Sequence, residues 1–267
     1  MPTCYRHADR QTGLSCTTCG KPICVECSID SAVGQKCPDD ATPEGRARVI
    51  TAGDIRRRST QVPPVTLFLL VASAVVYVLG ALSPELERTI FDNGALFPAL
   101  VRDGDWYRLV SSAFLHAGLY HILFNMWALW ILGPGIEREV GSVPFAGLYL
   151  ASAMVGSVAY VLAESSTPAV GASGAVFGLF GAWLASAWKR RSTPAGRANL
   201  QSIGIILGLN LMLPFVVEGI AWEAHVGGLL AGFAIAFAWT TWGRDVRTRS
   251  ILAFAVAALG LAIGILL

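Results

Sequence analysis

A small set of polar residues interrupts long apolar stretches of the sequence. Ser173 lies between two glycines in "VGASGAVFGLFGAW", residues 170–183, and His225 lies in another apolar stretch. A third stretch carries His121 and Asn125 four residues apart, which places both on one face of a helix. A serine hydroxyl becomes an effective nucleophile when a base accepts its proton. These residues therefore predict acyl transfer, with Ser173 as the nucleophile and His225 as the base.

Acyl transfer also needs hydrogen-bond donors directed at the oxyanion of the tetrahedral intermediate. We expect the side chains of His121 and Asn125 and the backbone N–H of Ser173 to be these donors. Glu223 is two residues from His225 and faces another side of the helix, so we expect a Ser/His dyad rather than a triad. Each residue alone also has a simpler interpretation, because small and polar residues mediate contacts between membrane helices. Their convergence at one depth favours catalysis.

The composition is that of a membrane protein. Of the 267 residues, 54% are hydrophobic and 14% are charged, about half the charged fraction of a soluble domain. Seven apolar stretches each approach the ~20 residues that a helix needs to cross the hydrocarbon core. They cover residues 62–82, 111–132, 143–163, 168–188, 200–217, 220–240 and 250–267. The sequence therefore predicts an all-α polytopic membrane protein with seven transmembrane helices.

Lysine and arginine residues predict the orientation of these helices, because short cytoplasmic loops are enriched in both. They collect before the first stretch and in alternate loops, at Arg46, Arg48, Arg56, Arg57, Arg58, Arg138, Lys189, Arg190, Arg191, Arg197, Arg244, Arg247 and Arg249. The N-terminus is then inside and the C-terminus outside. The fourth and sixth stretches both begin at the outer surface, so Ser173 and His225 lie at a similar shallow depth and can meet.

The first 40 residues form a separate, cysteine-rich head that contains all six cysteines. Tight pairs of ligand-type residues have the spacing of structural zinc sites, and a cytoplasmic location argues against disulfides. The pairs are Cys4/His7, Cys16/Cys19, Cys24/Cys27 and Cys37/Asp40. Eight ligands predict two zinc ions with four ligands each. About 40 residues are too few for an unaided core, so we expect these ions to be structural.

The order of these pairs resembles a B-box-like cross-brace, in which the first and third pairs hold one ion and the second and fourth hold the other. Sequential pairing is the alternative. Cross-brace relatives commonly end the fourth pair with cysteine or histidine, so Asp40 is a departure. The second site would otherwise have three protein ligands and a water, with Asp39 as a less well spaced substitute. The resemblance implies an interaction role for the head.

The membrane part resembles the rhomboid family of intramembrane serine proteases over residues 62–240. "GASG" is similar to the family's GxSG motif around Ser173, and "AHVGG" is similar to its histidine helix. "HAGLYHILFN" resembles the second-helix motif, in which His121 and Asn125 are oxyanion donors and His116 is structural. "WYR" resembles the family's Trp-Arg motif, with Tyr107 inserted, and "GPGIEREVG" places Glu137 in its GxxxExxxG spacing.

This resemblance implies cleavage of a peptide bond in or near the transmembrane segment of a substrate protein. Phe177 occupies the position of an aromatic residue that packs on the histidine, and Gly228 and Gly232 are expected to contact the serine helix closely. The fifth stretch, with Asn210 and Pro214, resembles the family's lateral gate, although Pro214 is also explained as a helix end. The seventh stretch is an addition to the six-helix core.

These predictions divide the chain into a zinc-binding head (1–40), a basic linker (41–61), a rhomboid six-helix catalytic core (62–240) and a cytoplasmic loop with a seventh transmembrane helix (241–267). We expect an integral protein of a bacterial plasma membrane, with a cytoplasmic head and an active-site opening on the outer side. The expected partners are transmembrane protein substrates, the lipid bilayer and a cytoplasmic protein that binds the head. We expect no nucleic-acid partner and no cofactor for catalysis. The alternatives are a non-proteolytic rhomboid-like binding or quality-control factor and a transporter with a proton path, but no paired repeats typical of transporters are present.

Overall fold

The structure is a computed structural model that describes residues 1–31, 34–41, 61–164, 166–212, 217, 219–243 and 245–267. The chain divides into two compact units, Met1–Gln61 and Val62–Leu267. The basic linker expected from the sequence lies outside the described residues except at its two ends.

The first unit is a small domain of short strands. Strand β1 (Thr3–Cys4) pairs antiparallel with β2 (His7–Gln11), and β3 (Ile29–Asp30) pairs antiparallel with β4 (Gln35–Lys36). A single 3₁₀ turn, Val25–Cys27, lies between the two hairpins in the sequence. The buried cluster consists of Ile23 and five cysteines. Because so little hydrocarbon is buried, a domain of this size needs a further source of stability.

The second unit contains ten α-helices among its described residues. They are α1 (Pro64–Leu82), α2 (Pro84–Gly94), α3 (Pro98–Arg102), α4 (Arg108–Ser111), α5 (Leu119–Val140), α6 (Ser142–Leu162), α7 (Ser173–Lys189), α8 (Pro194–Met212), α9 (Trp222–Thr241) and α10 (Val246–Leu266). Within the part of the chain that is described, α1, α5, α6, α9 and α10 are long and apolar enough to cross a membrane. The two remaining long helices, α7 and α8, overlap the fourth and fifth predicted stretches. The expectation of an all-α polytopic membrane protein is confirmed.

Local sequence explains where several helices begin and end. Proline occupies the first turn of α1 and α2, where its missing N–H has no helical partner to lose. The Ser83 hydroxyl accepts a hydrogen bond from the N–H of Leu86 at the start of α2, and Asp245 caps α10 in the same way through the N–H of Thr248. Gly141, at φ +96°, separates α5 from α6.

Two helices begin later than the apolar stretches suggest. The stretch 111–132 starts with a 3₁₀ turn, Ser112–Phe114, so α5 begins only at Leu119. The stretch 168–188 starts with an extended segment, so α7 begins at Ser173. Ser173 is therefore the first residue of its helix.

Helices α6, α7 and α9 form the centre of the second unit. The side chains of α6 that are at most 1% exposed include Phe145, Leu148, Tyr149, Ala151, Ser152 and Val161. Helices α7 and α9 approach so closely that a β-carbon at Gly228 would overlap the carbonyl oxygen of Gly174, and one at Gly232 would overlap that of Gly178. The expected close contact of the two glycines with the serine helix is confirmed. It fixes α9 against α7 at the depth of Ser173.

Candidate active site

Ser173 and His225 meet between two buried helices. Ser173 begins α7, and His225 lies in the first turns of α9. The Ser173 Oγ is 2.8 Å from the Nε2 of His225. In the tautomer with its proton on Nδ1, the imidazole accepts a hydrogen bond from the serine hydroxyl at Nε2. This is the geometry that a nucleophile and its base require.

The His225 ring is held by packing. It stacks on the Phe177 ring, with centroids 4.2 Å apart and planes 7° from parallel, and only 9% of the residue is exposed. Among the described residues its Nδ1 has no hydrogen-bond partner, and Glu223 makes no hydrogen bond to it. The described part of the site therefore contains a serine–histidine pair, without an acidic side chain bonded to the histidine.

The loop before Ser173 needs glycine at position 171. Gly171 has φ +126°, in the region that favours glycine, and a β-carbon there would lie 2.5 Å from the Nε2 of His121. Its N–H donates to the carbonyl oxygen of Ser112, and Leu96 and Ala169 exchange two backbone hydrogen bonds. The first loop thus holds the segment that leads to the nucleophile. The GxSG motif contains this glycine, but the sequence does not reveal which contact requires it.

Of the residues predicted to form the oxyanion site, His121 reaches the serine loop through this contact with Gly171. The Asn125 Nδ2 instead donates to the carbonyl oxygen of His121, 3.0 Å away on its own helix. His116 lies edge-on to the ring of His121 at 5.1 Å, and neither of its buried ring nitrogens has a partner in the described structure. The structure therefore brings Ser173, His225 and His121 together, whereas the Asn125 amide is engaged elsewhere.

The position of Ser173 adds backbone donors to the site. The first N–H groups of a helix have no intrahelical acceptor, and the helix dipole places partial positive charge there. Ser173 is the first residue of α7, so its own N–H belongs to this set. The start of α7 is suited to stabilise negative charge on an oxygen beside Ser173.

A cavity of about 30 Å³ adjoins Ser173. Its walls include Ser112 and Ser157 from neighbouring elements and Ala224 from α9. Its lining is mainly apolar, but the hydroxyls of Ser112, Ser157 and Ser173 belong to it, and a cavity of this size has room for a water molecule.

Arg108 organises the first loop. Only 4% of this residue is exposed. Its Nε donates to the carboxylate of Asp105 at 2.9 Å, and its Nη1 donates to the carbonyl oxygens of Asp92 and Ala95, each at 2.9 Å. Trp106 is 47% exposed. In the "WYR" segment, therefore, the arginine holds the loop together.

Glu137 ties three helices together at the end of α5 farthest from His121. Its carboxylate accepts hydrogen bonds from the N–H groups of Val65 and Thr66 at 3.0 and 2.8 Å. It also accepts from the hydroxyls of Thr66 and Ser142, both at 2.7 Å. Glu137 thus caps α1 and contacts the start of α6. The sequence supplied its motif spacing but not this role.

The predicted lateral gate is described only in part. Pro214 lies outside the described residues. The Asn210 Nδ2 donates to the carbonyl oxygen of Ile206, 2.8 Å away on the same helix. The gate stays a prediction.

The cysteine-rich unit contains two clusters of metal-ligand type. One consists of Cys4, His7, Cys24 and Cys27, and the other of Cys16, Cys19, Cys37 and Asp40; within each, the ligand atoms lie within 4.8 Å of one another. The structure thus groups the first pair with the third and the second with the fourth. All six cysteines are free thiols.

Asp40 belongs to the second cluster through its carboxylate. The thiols of Cys16 and Cys37 lie 3.3 and 3.2 Å from its Oδ2. Hydrogen bonds from Cys19, Cys37 and Cys16 lower the pKa of this carboxyl group below its ordinary value. The neighbouring Asp39 instead accepts from the Tyr5 hydroxyl at 3.0 Å. In the described structure Asp40, rather than Asp39, completes the four-residue group.

Fold and site together define a class: a polytopic α-helical membrane protein with a serine–histidine pair enclosed by its helices. The sequence model of the Rhomboid domain family matches residues 103–242 of this chain. The chain belongs to the rhomboid family.

The chain is similar to curated relatives from several organisms. It is 39% identical over 154 residues to Rhomboid protease GluP of Bacillus subtilis (strain 168), covering 56% of this chain and 29% of that protein. It is 32% identical over 175 residues to Putative rhomboid protease YdcA of the same organism, covering 65% and 87%. It is 36% identical over 163 residues to RHOMBOID-like protein 5 of Arabidopsis thaliana, covering 60% and 51%. Because the relatives include a plant protein, the bacterial membrane expected from the sequence stays a prediction.

Proposed function

We propose that this protein is an intramembrane serine protease that hydrolyses peptide bonds in or near the transmembrane segments of other membrane proteins. The observation that carries the proposal is the 2.8 Å contact between Ser173 Oγ and His225 Nε2 at the start of a helix. Membership of the rhomboid family supports it, since one relative is named a rhomboid protease and another a putative rhomboid protease.

In the first half of the proposed reaction, Ser173 Oγ attacks the carbonyl carbon of the scissile bond while its proton moves to the Nε2 of His225. The carbonyl π electrons move to the oxygen, which becomes the oxyanion. His225 then gives the proton to the leaving nitrogen, the C–N bond breaks, and an acyl-enzyme remains on Ser173. Nucleophile and base thus act as one unit.

The oxyanion is stabilised by donors around the start of α7. The backbone N–H of Ser173 belongs to the site by position, and the His121 ring approaches from the side of Gly171. Asn125 joins this set when its amide turns away from the carbonyl oxygen of His121. Fixed donors of this kind stabilise the transition state more than the substrate.

In the second half, a water molecule replaces the leaving amine. His225 accepts a proton from this water, whose oxygen attacks the acyl carbon; the intermediate then collapses, and His225 returns the proton to Ser173 Oγ. The products are a carboxylic acid and the free enzyme. The cavity of about 30 Å³ beside Ser173 offers a place for this water.

The test is cleavage of a generic transmembrane substrate by the purified protein in detergent. We expect Ser173→Ala and His225→Ala each to lower turnover by about 10⁴-fold or more, while both variants keep the wild-type melting temperature. Ser250→Ala is the matched control, because the Ser250 hydroxyl donates to the carbonyl oxygen of Val246 on α10. Cleavage by Ser173→Ala at the wild-type rate would refute the mechanism. Binding of substrate without cleavage by the wild type would indicate a non-proteolytic binding or quality-control factor.

We further propose that the two clusters of the head each hold a structural zinc ion. Around a tetrahedral zinc with bonds of about 2.0 to 2.3 Å, neighbouring ligand atoms are about 3.3 to 3.8 Å apart. The Sγ atoms of Cys4, Cys24 and Cys27 lie 3.8, 3.4 and 3.5 Å from the Nδ1 of His7. The donor atoms therefore have the spacing that zinc requires, with a cross-braced arrangement of pairs.

The orientation of the protein in the membrane is part of the proposal. The basic loops favour a cytoplasmic head, with Ser173 near the outer surface. A cytoplasmic head suits free thiols and zinc better than disulfides. The head would then present a metal-stabilised surface to a cytoplasmic protein partner.

A further inference from the structure

A second cavity lies at the end of the helix bundle opposite Ser173. It has a volume of about 400 Å³ and is lined by the C-terminal turns of α5, α7 and α9 and by the first turn of α10. Its apolar wall includes Leu132, Ile136, Trp183 and Trp239. The size falls within the range of small-molecule sites, roughly 300 to 1,000 Å³.

Two arginines belong to this cavity. Arg249 donates from Nε to the carbonyl oxygen of Gly243 and from Nη1 to that of Glu139, and Arg190 donates from Nη2 to the hydroxyl of Ser186. In the described part of the chain, neither guanidinium forms an ion pair with a carboxylate. A guanidinium has five N–H donors, so donors remain for an anion.

The charge around the cavity is predominantly positive. Glu139 is the one carboxylate in its described lining. Two further basic residues, Lys189 and Arg191, flank Arg190 at the C-terminal end of α7. These two are engaged with aromatic rings, Lys189 over Phe237 and Arg191 over Trp188. A basic segment of this chain would be repelled here, whereas an anionic group would be attracted.

The combination of walls and charges indicates the kind of ligand. Apolar walls suit a hydrocarbon chain, tryptophans favour the membrane–water interface, and basic pockets between transmembrane helices suit anionic lipid head groups. A free phosphate would use the arginines but leave the apolar wall unoccupied. An amphiphile with a phosphate and an acyl chain satisfies both.

We propose that this cavity binds an anionic phospholipid, with its phosphate at Arg190 and Arg249 and one acyl chain along the wall of α5 and α7. The site is distinct from the catalytic one: Ser186 is thirteen residues after Ser173 on α7, roughly 20 Å along the helix axis. The proposal does not depend on proteolytic activity.

Lipid retention by the full-length protein tests the proposal. The detergent-purified protein is mixed with phosphatidylglycerol or phosphatidylcholine, and bound lipid is counted by native mass spectrometry. We expect phosphatidylglycerol to be retained preferentially, and Arg190→Gln and Arg249→Gln each to weaken its retention about fivefold. The control is the double variant Arg191→Gln, Arg247→Gln, which removes two charges near the same helix ends but outside the cavity lining, one more than either test variant, and should retain the lipid.

A cavity-filling variant separates lipid binding from general loss of charge. A β-carbon at Gly135 would meet no atom within 4 Å, so Gly135→Leu should fold and occupy the acyl-chain space. We expect it to reduce phosphatidylglycerol retention with both arginines intact, whereas Gly204→Leu, at another open position, should not. Equal retention of the two lipids, unchanged retention by Gly135→Leu, or displacement of the lipid by inorganic phosphate alone would each overturn the proposal.

Discussion

Gly228 of α9 lies so close to the carbonyl oxygen of Gly174 on α7 that a β-carbon at Gly228 would overlap that oxygen. Gly174 follows the proposed nucleophile, and Gly228 lies three residues after the proposed base. The contact between the two backbones therefore sets the distance between Ser173 and His225.

The first prediction concerns this contact. Gly228→Ala should push α9 away from α7, and such overpacking costs about 1 to 3 kcal/mol of stability. Because catalysis is sensitive to displacements of about 1 Å, we expect turnover to fall about 10²-fold. Thermal unfolding in detergent and cleavage of a transmembrane substrate measure the two effects. Gly208→Ala is the control, since a β-carbon there meets open space; equal behaviour of the two variants would contradict the argument.

The second prediction concerns activation of the serine. A fluorophosphonate reagent should label Ser173, because a hydroxyl paired with a base reacts where an ordinary hydroxyl does not. Labelling should disappear in His225→Ala and persist in Glu223→Ala, since Glu223 makes no hydrogen bond to His225. Mass spectrometry of the labelled peptide identifies the site. Labelling that ignores the loss of His225 would show that the two residues do not act together.

The third prediction concerns Glu137. Glu137→Ala removes the acceptor for two N–H groups and two hydroxyls, and hydrogen bonds to a charged group contribute about 1.5 to 3 kcal/mol each. We expect the melting temperature in detergent to fall markedly. Glu139→Ala, at an exposed position two residues further along α5, should have little effect. A wild-type melting temperature for Glu137→Ala would mean that the cap of α1 does not stabilise the fold.

The fourth prediction concerns the unequal metal clusters of the head. A carboxylate binds zinc less well than a thiolate in such sites, because Zn²⁺ is a borderline-soft ion. The cluster with Asp40 should therefore lose its zinc to a chelator before the cluster with His7. Asp40→Cys should slow that loss and Asp40→Ala should accelerate it, with metal content measured on the full-length protein.

Asp39→Ala is the matched control for the metal experiment. Its carboxylate is bonded to the Tyr5 hydroxyl rather than to the cluster, so the variant should lose metal at the wild-type rate. Two zinc ions that leave at equal rates, even after Asp40→Ala and Asp39→Ala are combined, would remove Asp40 from the site.

The sequence could predict the helices and the meeting of Ser173 with His225, for different physical reasons. A helix that crosses a membrane must be a long apolar run, so composition alone revealed the long helices. The proximity of Ser173 and His225 could be predicted because the directions of their helices place both residues near the same surface. Neither inference required knowledge of side-chain contacts.

Other features depend on contacts between distant segments and could not be predicted. Glu137 caps α1 across more than seventy positions of sequence, and nothing near Thr66 indicates this partner. The start of α5 at Leu119 depends on a 3₁₀ turn inside an apolar run, which hydropathy does not distinguish from helix. The Asn125 amide donates to a carbonyl oxygen of its own helix. Residue spacing places Asn125 on a helix face but does not determine which acceptor its amide bonds.

Helix α7 extends from Ser173 to the second cavity. Ser173 is its first residue and Lys189 its last, and Arg190 caps its far end beside the second cavity. Ser173 lies roughly 25 Å from the last turn along the helix axis, so a tilt of α7 as a rigid body would displace the nucleophile when the last turn moves. The coupling free energy between the two ends would be given by the ratio of lipid affinities with and without substrate bound at Ser173.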